Sequence, residues 1–340
     1  MTRMPAVFAI LLATLLTTAV SAQEYTPHEV AFPTGASYVL PDGRIALHGN
    51  EDMAMMIDAL DRKFEETHSG FHFAPMLKGS STAMPALTAG ATPIALMGRE
   101  LWRGDNGAFH TVHHYDPTAV RIAYAGYGPR AGGKTPPSIY VNHSNPLPGL
   151  TMTQLTQILT SGSPQGDINL WSQLGLKGEW ATRRIHVYGL RDDGAFATSM
   201  RLARLGGMPF TAHYEPLPDY AAVVRAVAAD PYGIGLIGWL DSAKGSNAAR
   251  IVPLAGDSGR PFVLPDKAIV AAGAYPLSSF VTFYIDQAPG KPIAPFIKEY
   301  LALALSDTGQ AIIARFTDGQ DGFVPLSTRD RNQERAKLAD

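Results

Sequence analysis

Several short stretches carry residue types and spacings that could do chemistry. Gly128-Pro-Arg-Ala-Gly-Gly133-Lys134-Thr135 fits G-x-x-x-x-G-K-[ST], the spacing of a loop that wraps nucleotide phosphates in backbone N–H groups. Such a loop must run straight into a helix, whose N-terminus holds the anion. Pro136 and Pro137 follow at once and residues 138–141 read as a strand, so a flexible loop is expected, without nucleotide. Gly233-Ile-Gly235-Leu-Ile-Gly238 fits G-x-G-x-x-G, yet it lies inside an apolar strand that follows a helix. That reverses the strand–turn–helix order of a dinucleotide site. Its glycines are expected to allow close packing, and no cofactor is implied.

His110-x-x-His113-His114, with Asp116 nearby, places imidazoles at i, i+3 and i+4, a set that would suit copper or zinc on one helical face. Asp116-Pro117 and the missing apolar period favour a loop, and a metal-binding derivative is kept as an alternative. His143 reads as a surface residue. Ser80 or Ser81 could be combined on paper with a distant His and Asp, but no G-x-S-x-G elbow is present. Glu51 and Asp52 are adjacent on one turn, a poor placement for complementary acid and base. No enzyme is expected.

Composition narrows the field. The chain has 340 residues, 28 Lys+Arg against 30 Asp+Glu, and no cysteine. Without Cys there are no disulfides, thiolate zinc sites, iron–sulfur clusters, Cys nucleophile or N-terminal lipoprotein anchor. The balanced charge argues against nucleic-acid binding, which favours basic chains. Residues 1–22 combine Arg3, an apolar run from 6 to 16, and the small residues Val20-Ser21-Ala22. That pattern is a cleaved secretory signal peptide, too short in its apolar part to span a bilayer. An exported protein is expected.

Strand-like and helix-like stretches then alternate. Strands are expected at 44–48, 93–97, 121–127, 138–141, 184–188, 233–239 and 278–285. Helices are expected at 53–67, 81–89, 194–205, 220–228, 292–305 and 308–316, with a further one capped by Thr151. Met53, Met56, Ile57, Leu60 and Phe64 share one face of the first. The alternation indicates an α/β architecture with mostly parallel sheets.

Six segments in order resemble the phosphate-type periplasmic solute-binding proteins. They are Gly79-Ser80-Ser81-Thr82 through Arg99-Glu100-Leu101, Asn145-Pro-Leu-Pro-Gly-Leu, Trp171-Ser-Gln-Leu-Gly, Asp230-Pro-Tyr-Gly, Tyr275-Pro-Leu-Ser and Ala304-Leu-Ser-Asp-Thr-Gly-Gln. The resemblance spans roughly 44–326. It implies two discontinuous α/β lobes joined by a hinge: residues 37–125 with 275–328, residues 126–274, and a C-terminal tail at 329–340. It also implies a small ligand (orthophosphate or another oxyanion), closing lobes, a monomer, and an inner-membrane ABC permease as partner.

In that family three loops hold the anion through helix N-terminal amides and hydroxyls. The resemblance assigns Gly79, Ser80, Ser81 and Thr82 to the second loop, intact here. The first, normally Gly-Ser-Ser/Thr-Thr, is replaced by Gly49-Asn50-Glu51-Asp52. A carboxylate about 4 Å from a bound phosphate would cost about 4 kcal/mol per charge pair at an effective dielectric near 20. The third, normally Ser-Gly-Thr, follows Arg191, Asp192 and Asp193 and reads Gly194-Ala195-Phe196. Arg99 and Arg191 are the candidate cations, Arg191 with Asp192 or Asp193 as a competing partner. The expected ligand set is therefore Asn50, Glu51, Asp52, Gly79, Ser80, Ser81, Thr82, Arg99, Arg191, Asp193, Gly194 and Phe196. A changed ligand is one outcome of these departures; an orphan sensor that has lost binding is another.

Overall fold

The computed structural model describes residues 24–131, 134–239, 247–256 and 259–339. The expected signal peptide lies outside them, as does Gly133 of the phosphate-loop-like stretch. The first part of the chain builds β1 (Ile45–Gly49), α1 (Ala54–Thr67), β2 (Phe73–Leu77), α2 (Ser80–Thr88), β3 (Ile94–Met97), α3 (Arg103–His113) and β4 (Thr118–Ala125). The middle part supplies β5 (Pro137–Asn142), β6 (Leu150–Thr151), α4 (Met152–Leu159), β7 (His186–Leu190), α5 (Ala195–Arg204) and β8 (Tyr214–Leu217). It continues through α6 (Tyr220–Ala229), β9 (Gly233–Gly238), β10 (Ala249–Val252), β11 (Leu254–Ala255) and α7 (Lys267–Ala271). The last part adds β12 (Phe280–Ile285), α8 (Pro295–Leu305), α9 (Asp307–Ala314), β13 (Phe323–Pro325) and α10 (Thr328–Ala336).

These strands form two main sheets, one per lobe. The first runs β13-β4-β12-β3-β1-β2 and so draws on both ends of the chain; the second runs β10-β5-β9-β7-β8. Parallel pairing was expected to dominate, but both sheets are mixed. β1 is parallel to β2 and β3, whereas β12 is antiparallel to both β3 and β4. In the second sheet β7 is parallel to β8 and β9, and β5 is antiparallel to β9 and β10. The crossing explains this: β5 enters the second lobe and β12 re-enters the first from the opposite lobe, without a βαβ return.

Local sequence accounts for the packing. The expected apolar face of the first helix is buried in full: Met53, Met56, Ile57, Leu60 and Phe64 are all 0% exposed. Phe64 meets Phe73 and Tyr300 edge to face or tilted, which ties α1 to β2 and α8. Thr151 and Gln154 close a reciprocal capping box at the start of α4. In the second lobe Val223, Val224 and Val227 of α6 pack on Tyr140 and Ile237. A Cβ on Gly235 would lie 2.9 Å from Val227 Cγ2, so the glycine lets α6 sit close on β9.

Two sequence expectations change. The tail set apart at 329–340 is helical through Ala336 and docks on the first sheet. Tyr124 Oη donates to Asp330 Oδ2 at 2.7 Å, and Glu334 Oε2 accepts from the Arg121 backbone N–H at 2.9 Å. The histidine stretch, expected in a loop, closes helix α3, with His114 as its left-handed C-cap at φ 64°. The imidazoles do not converge. His110 pairs with Asp116 at 2.9 Å, while His113 stacks on Phe109 and contacts the Thr88 carbonyl. Among the described residues no group of three or more His, Cys, Asp or Glu is placed to hold a metal ion.

Candidate functional site

A cavity of about 570 Å³ lies between the lobes. Three helix starts reach it: Asn50 and Asp52 before α1, Ser80 and Ser81 of α2, and Ala195 and Phe196 of α5. Helix starts leave backbone N–H groups unpaired and carry partial positive charge. The three starts differ in how much of that capacity is taken. Asn50 Oδ1 already accepts from the Asp52 N–H at 2.8 Å. Gly79 and Gly194, which cap α2 and α5, have no side chain to do so. Gly79 sits at φ 106°, a conformation that favours glycine, and so turns β2 directly into α2.

The second loop is the most complete donor. Ser80 is buried, and its Oγ accepts from the Gly98 N–H at 3.1 Å and from Asn50 Nδ2 at 3.3 Å. A hydroxyl has two acceptor lone pairs and one proton, so the Ser80 proton remains for the cavity. Ser81 is exposed on the cavity wall. Thr82 is turned away from this role: its hydroxyl donates to the Gly79 carbonyl at 2.9 Å, and it does not line the cavity.

The acidic pair divides. Glu51 is exposed and lies off the cavity wall, near Gly79 and Ser81. Asp52 is on the wall, with Lys134 Nζ 2.8 Å from its carboxylate. Arg99 also lines the cavity; its guanidinium donates to Asp105 at 2.7 Å and lies 3.8 Å from the centre of the Trp102 ring. Arg191 and Asp193 do not reach the cavity. They pair with each other at 2.7 Å in an exposed position, and that bond holds the Asp193 carboxyl below its ordinary range. Gly194 contributes as the α5 cap, and Phe196 lines the wall, edge-on to Tyr220.

Residues that sequence reasoning passed over complete the site. Lys134 belongs to the loop set aside as a false nucleotide motif, yet that loop is the first crossing between the lobes. Position on the crossing was the available signal. Trp102 Nε1 donates to Ser199 Oγ at 3.3 Å, and Arg204 pairs with Glu100 at 2.5 Å, each joining the first lobe to α5 of the second. Burial pushes the Glu100 carboxyl above its ordinary range, and the facing Arg204 opposes that shift. Arg204 also donates to the Ser278 carbonyl at 2.7 Å. These partners were not legible because they are about a hundred residues apart in sequence.

Comparison with known proteins agrees with this architecture. The family model described as a PBP superfamily domain matches residues 40–308. Phosphate-binding protein PstS of Pseudomonas aeruginosa is 30% identical over 292 residues, covering 84% of each chain. The crystal structure of PstS from Borrelia burgdorferi has a TM-score of 0.55 at 16% identity, covering 83% of this chain and 98% of that one. An ABC-type phosphate transport receptor from Vibrio cholerae has a TM-score of 0.50 at 18% identity, covering 83% and 99%. These two likenesses bear on fold alone. Domain match, sequence relative and two-lobed fold together place the chain in the phosphate-type family of periplasmic solute-binding proteins.

Proposed function

We propose that the protein captures a phosphate-type oxyanion between its lobes and delivers it, chemically unchanged, to an inner-membrane ABC permease. The observation that carries this reading is the convergence of three helix starts on one interlobe cavity, two of them free of side-chain caps. The N–H groups that open α2 and α5, with the Ser80 and Ser81 hydroxyls, are the donors. Lys134 and Arg99 supply positive charge, and Arg191 does not take part. Asp52 opposes an anion, but its counter-ion Lys134 is close enough to offset most of that repulsion. The relative named as phosphate-binding supports the choice of anion.

The same reading takes the protein as a periplasmic monomer exported by residues 1–22. Among the described residues no helix is long and apolar enough to cross a membrane. It also takes residues 37–125 with 275–328 as one lobe and 126–274 as the other, with α10 added to the first. Sheet membership supports that division. Calorimetric titration of protein unfolded and refolded to strip carried-over ligand is the test. Saturable orthophosphate binding that is lost in Ser80→Ala with Ser81→Ala is expected. No response to orthophosphate or to any anion of its class would overturn the reading.

A further inference from the structure

We infer that the preferred ligand of this cleft is a phosphate monoester, a phosphate head carrying an apolar group, and not free orthophosphate. The inference rests on the preceding reading that the cleft takes a phosphate-type oxyanion. Three independent features of the site lead to it.

The cavity is too large for the bare ion. An orthophosphate displaces the volume of roughly two or three waters, at about 30 Å³ each. The cavity measures about 570 Å³. The lobes touch across it through Trp102–Ser199 and Glu100–Arg204, and the cavity keeps this volume with those contacts made. Space remains with the lobes joined.

The cavity is also two-sided. Its first-lobe wall presents Asn50, Ser80 and Ser81 with the charges of Asp52 and Arg99. The facing α5 wall presents Ala195, Phe196, Met200 and Ala203, with Tyr220 edge-on to Phe196 and one charged group, Arg204, already paired with Glu100. Ser199 on that wall already accepts the Trp102 N–H. A ligand with oxygens on every side would leave part of its surface against apolar side chains, where it loses water without gaining hydrogen bonds. A ligand with a charged head and an apolar body matches both walls.

The third feature is in the sequence. Helix α2 opens on Ser80-Ser81-Thr82, whereas α5 opens on Ala195-Phe196-Ala197. The α5 start offers no hydroxyl at these positions and presents a ring to the cavity. Side-chain donors therefore lie on the Ser80 and Ser81 side, and apolar surface lies opposite them.

Calorimetry with orthophosphate, phenyl phosphate and phenol, on stripped protein, decides the matter. Phenyl phosphate is expected to bind at least tenfold more tightly than orthophosphate, about 1.4 kcal/mol, and phenol not at all. In the triple variant Ala195→Ser, Phe196→Gly, Ala197→Thr the ratio is expected to reverse. Phe196→Ala, a milder change, is expected to lower the ratio severalfold even where the triple variant does not fold. Orthophosphate binding as tightly as phenyl phosphate in the wild type would overturn this inference and leave the oxyanion reading standing. Binding of neither would overturn both.

Discussion

Lys134 and Asp52 decide how much charge an arriving anion meets. As a pair 2.8 Å apart they contribute little net charge to the cavity wall. Removing the lysine leaves the carboxylate facing the ligand alone and takes away a charged donor. A hydrogen bond to a charged group is worth roughly 1.5–3 kcal/mol, so Lys134→Met is expected to weaken orthophosphate binding about a hundredfold by calorimetry. Asp52→Asn in the same assay is expected to strengthen it. Asp61 matters for stability. It is buried between α1 and α8, and accepts from Tyr300 Oη at 2.7 Å, while its Oδ2 has no partner among the described residues. Burial pushes its carboxyl up to about 8.

The folded chain therefore holds the Asp61 proton more tightly than the unfolded chain. Its favourable contribution is complete below about pH 4 and is lost as the pH rises through about 8, at about 1.4 kcal/mol per unit between those limits. The wild-type Tm is expected to fall between pH 5 and pH 8.5, and Asp61→Asn to remove much of that fall; an unchanged pH profile in the variant would contradict the assignment. At this scale the sequence exposes residue types but not their neighbours. The lost hydroxyls at 195–197 are plain in it, because a loop carries its own donors. That Arg191 would pair with a neighbouring aspartate was foreseeable, but not that Asp193 rather than Asp192 would be the partner. The partnership of Lys134 with Asp52 was not, since folding alone joins residues so far apart.

At the scale of elements, α10 is the one whose role changed most. A polar, charged stretch with few apolar residues reads as a tail. Its contribution is made instead by two buried carboxylates, Asp330 and Glu334, that satisfy groups on β4. Ending the chain after Ser327 strands those partners, at roughly 1–3 kcal/mol for each buried group left unpaired. A Tm lower by several degrees is expected in scanning calorimetry; an unchanged Tm would show that the helix only rests on the sheet. Helix α3 was misread for a related reason. Phe109 is its one buried residue, so it has no apolar period to see, and Asp116-Pro117 lies just beyond its His114 cap. Helix α1, with one apolar face, and α8, apolar on nearly every side, were legible to within a few residues.

At the scale of the whole molecule, closure is written into the Glu100–Arg204 and Trp102–Ser199 contacts. They join the lobes along the cavity wall, and Arg204 is also held by the Ser278 carbonyl beside the second crossing. Arg204→Met is expected to speed orthophosphate release about tenfold in stopped-flow displacement, with a much smaller effect on association, since changes at one interface act mainly on the dissociation rate. It is also expected to raise the radius of gyration of the unliganded protein in solution scattering. Alternation of strands and helices made the two-lobed class legible. The mixed pairing of the sheets was not, because strand direction depends on where the chain crosses.

The arrangement of the first sheet also sets an order of assembly. β12 lies between β3 and β4, yet some 155 residues separate it from β4 in the sequence. As the chain is made from its N-terminus, β3 and β4 wait with unpaired edges while the entire second lobe is completed. Unpaired edges are templates for joining other chains, and distant pairings form slowly. The second lobe, by contrast, is continuous in sequence and has its own apolar core. A chain cut short near residue 275 would therefore carry one finished lobe and one open sheet, the form on which chaperones and proteases would act.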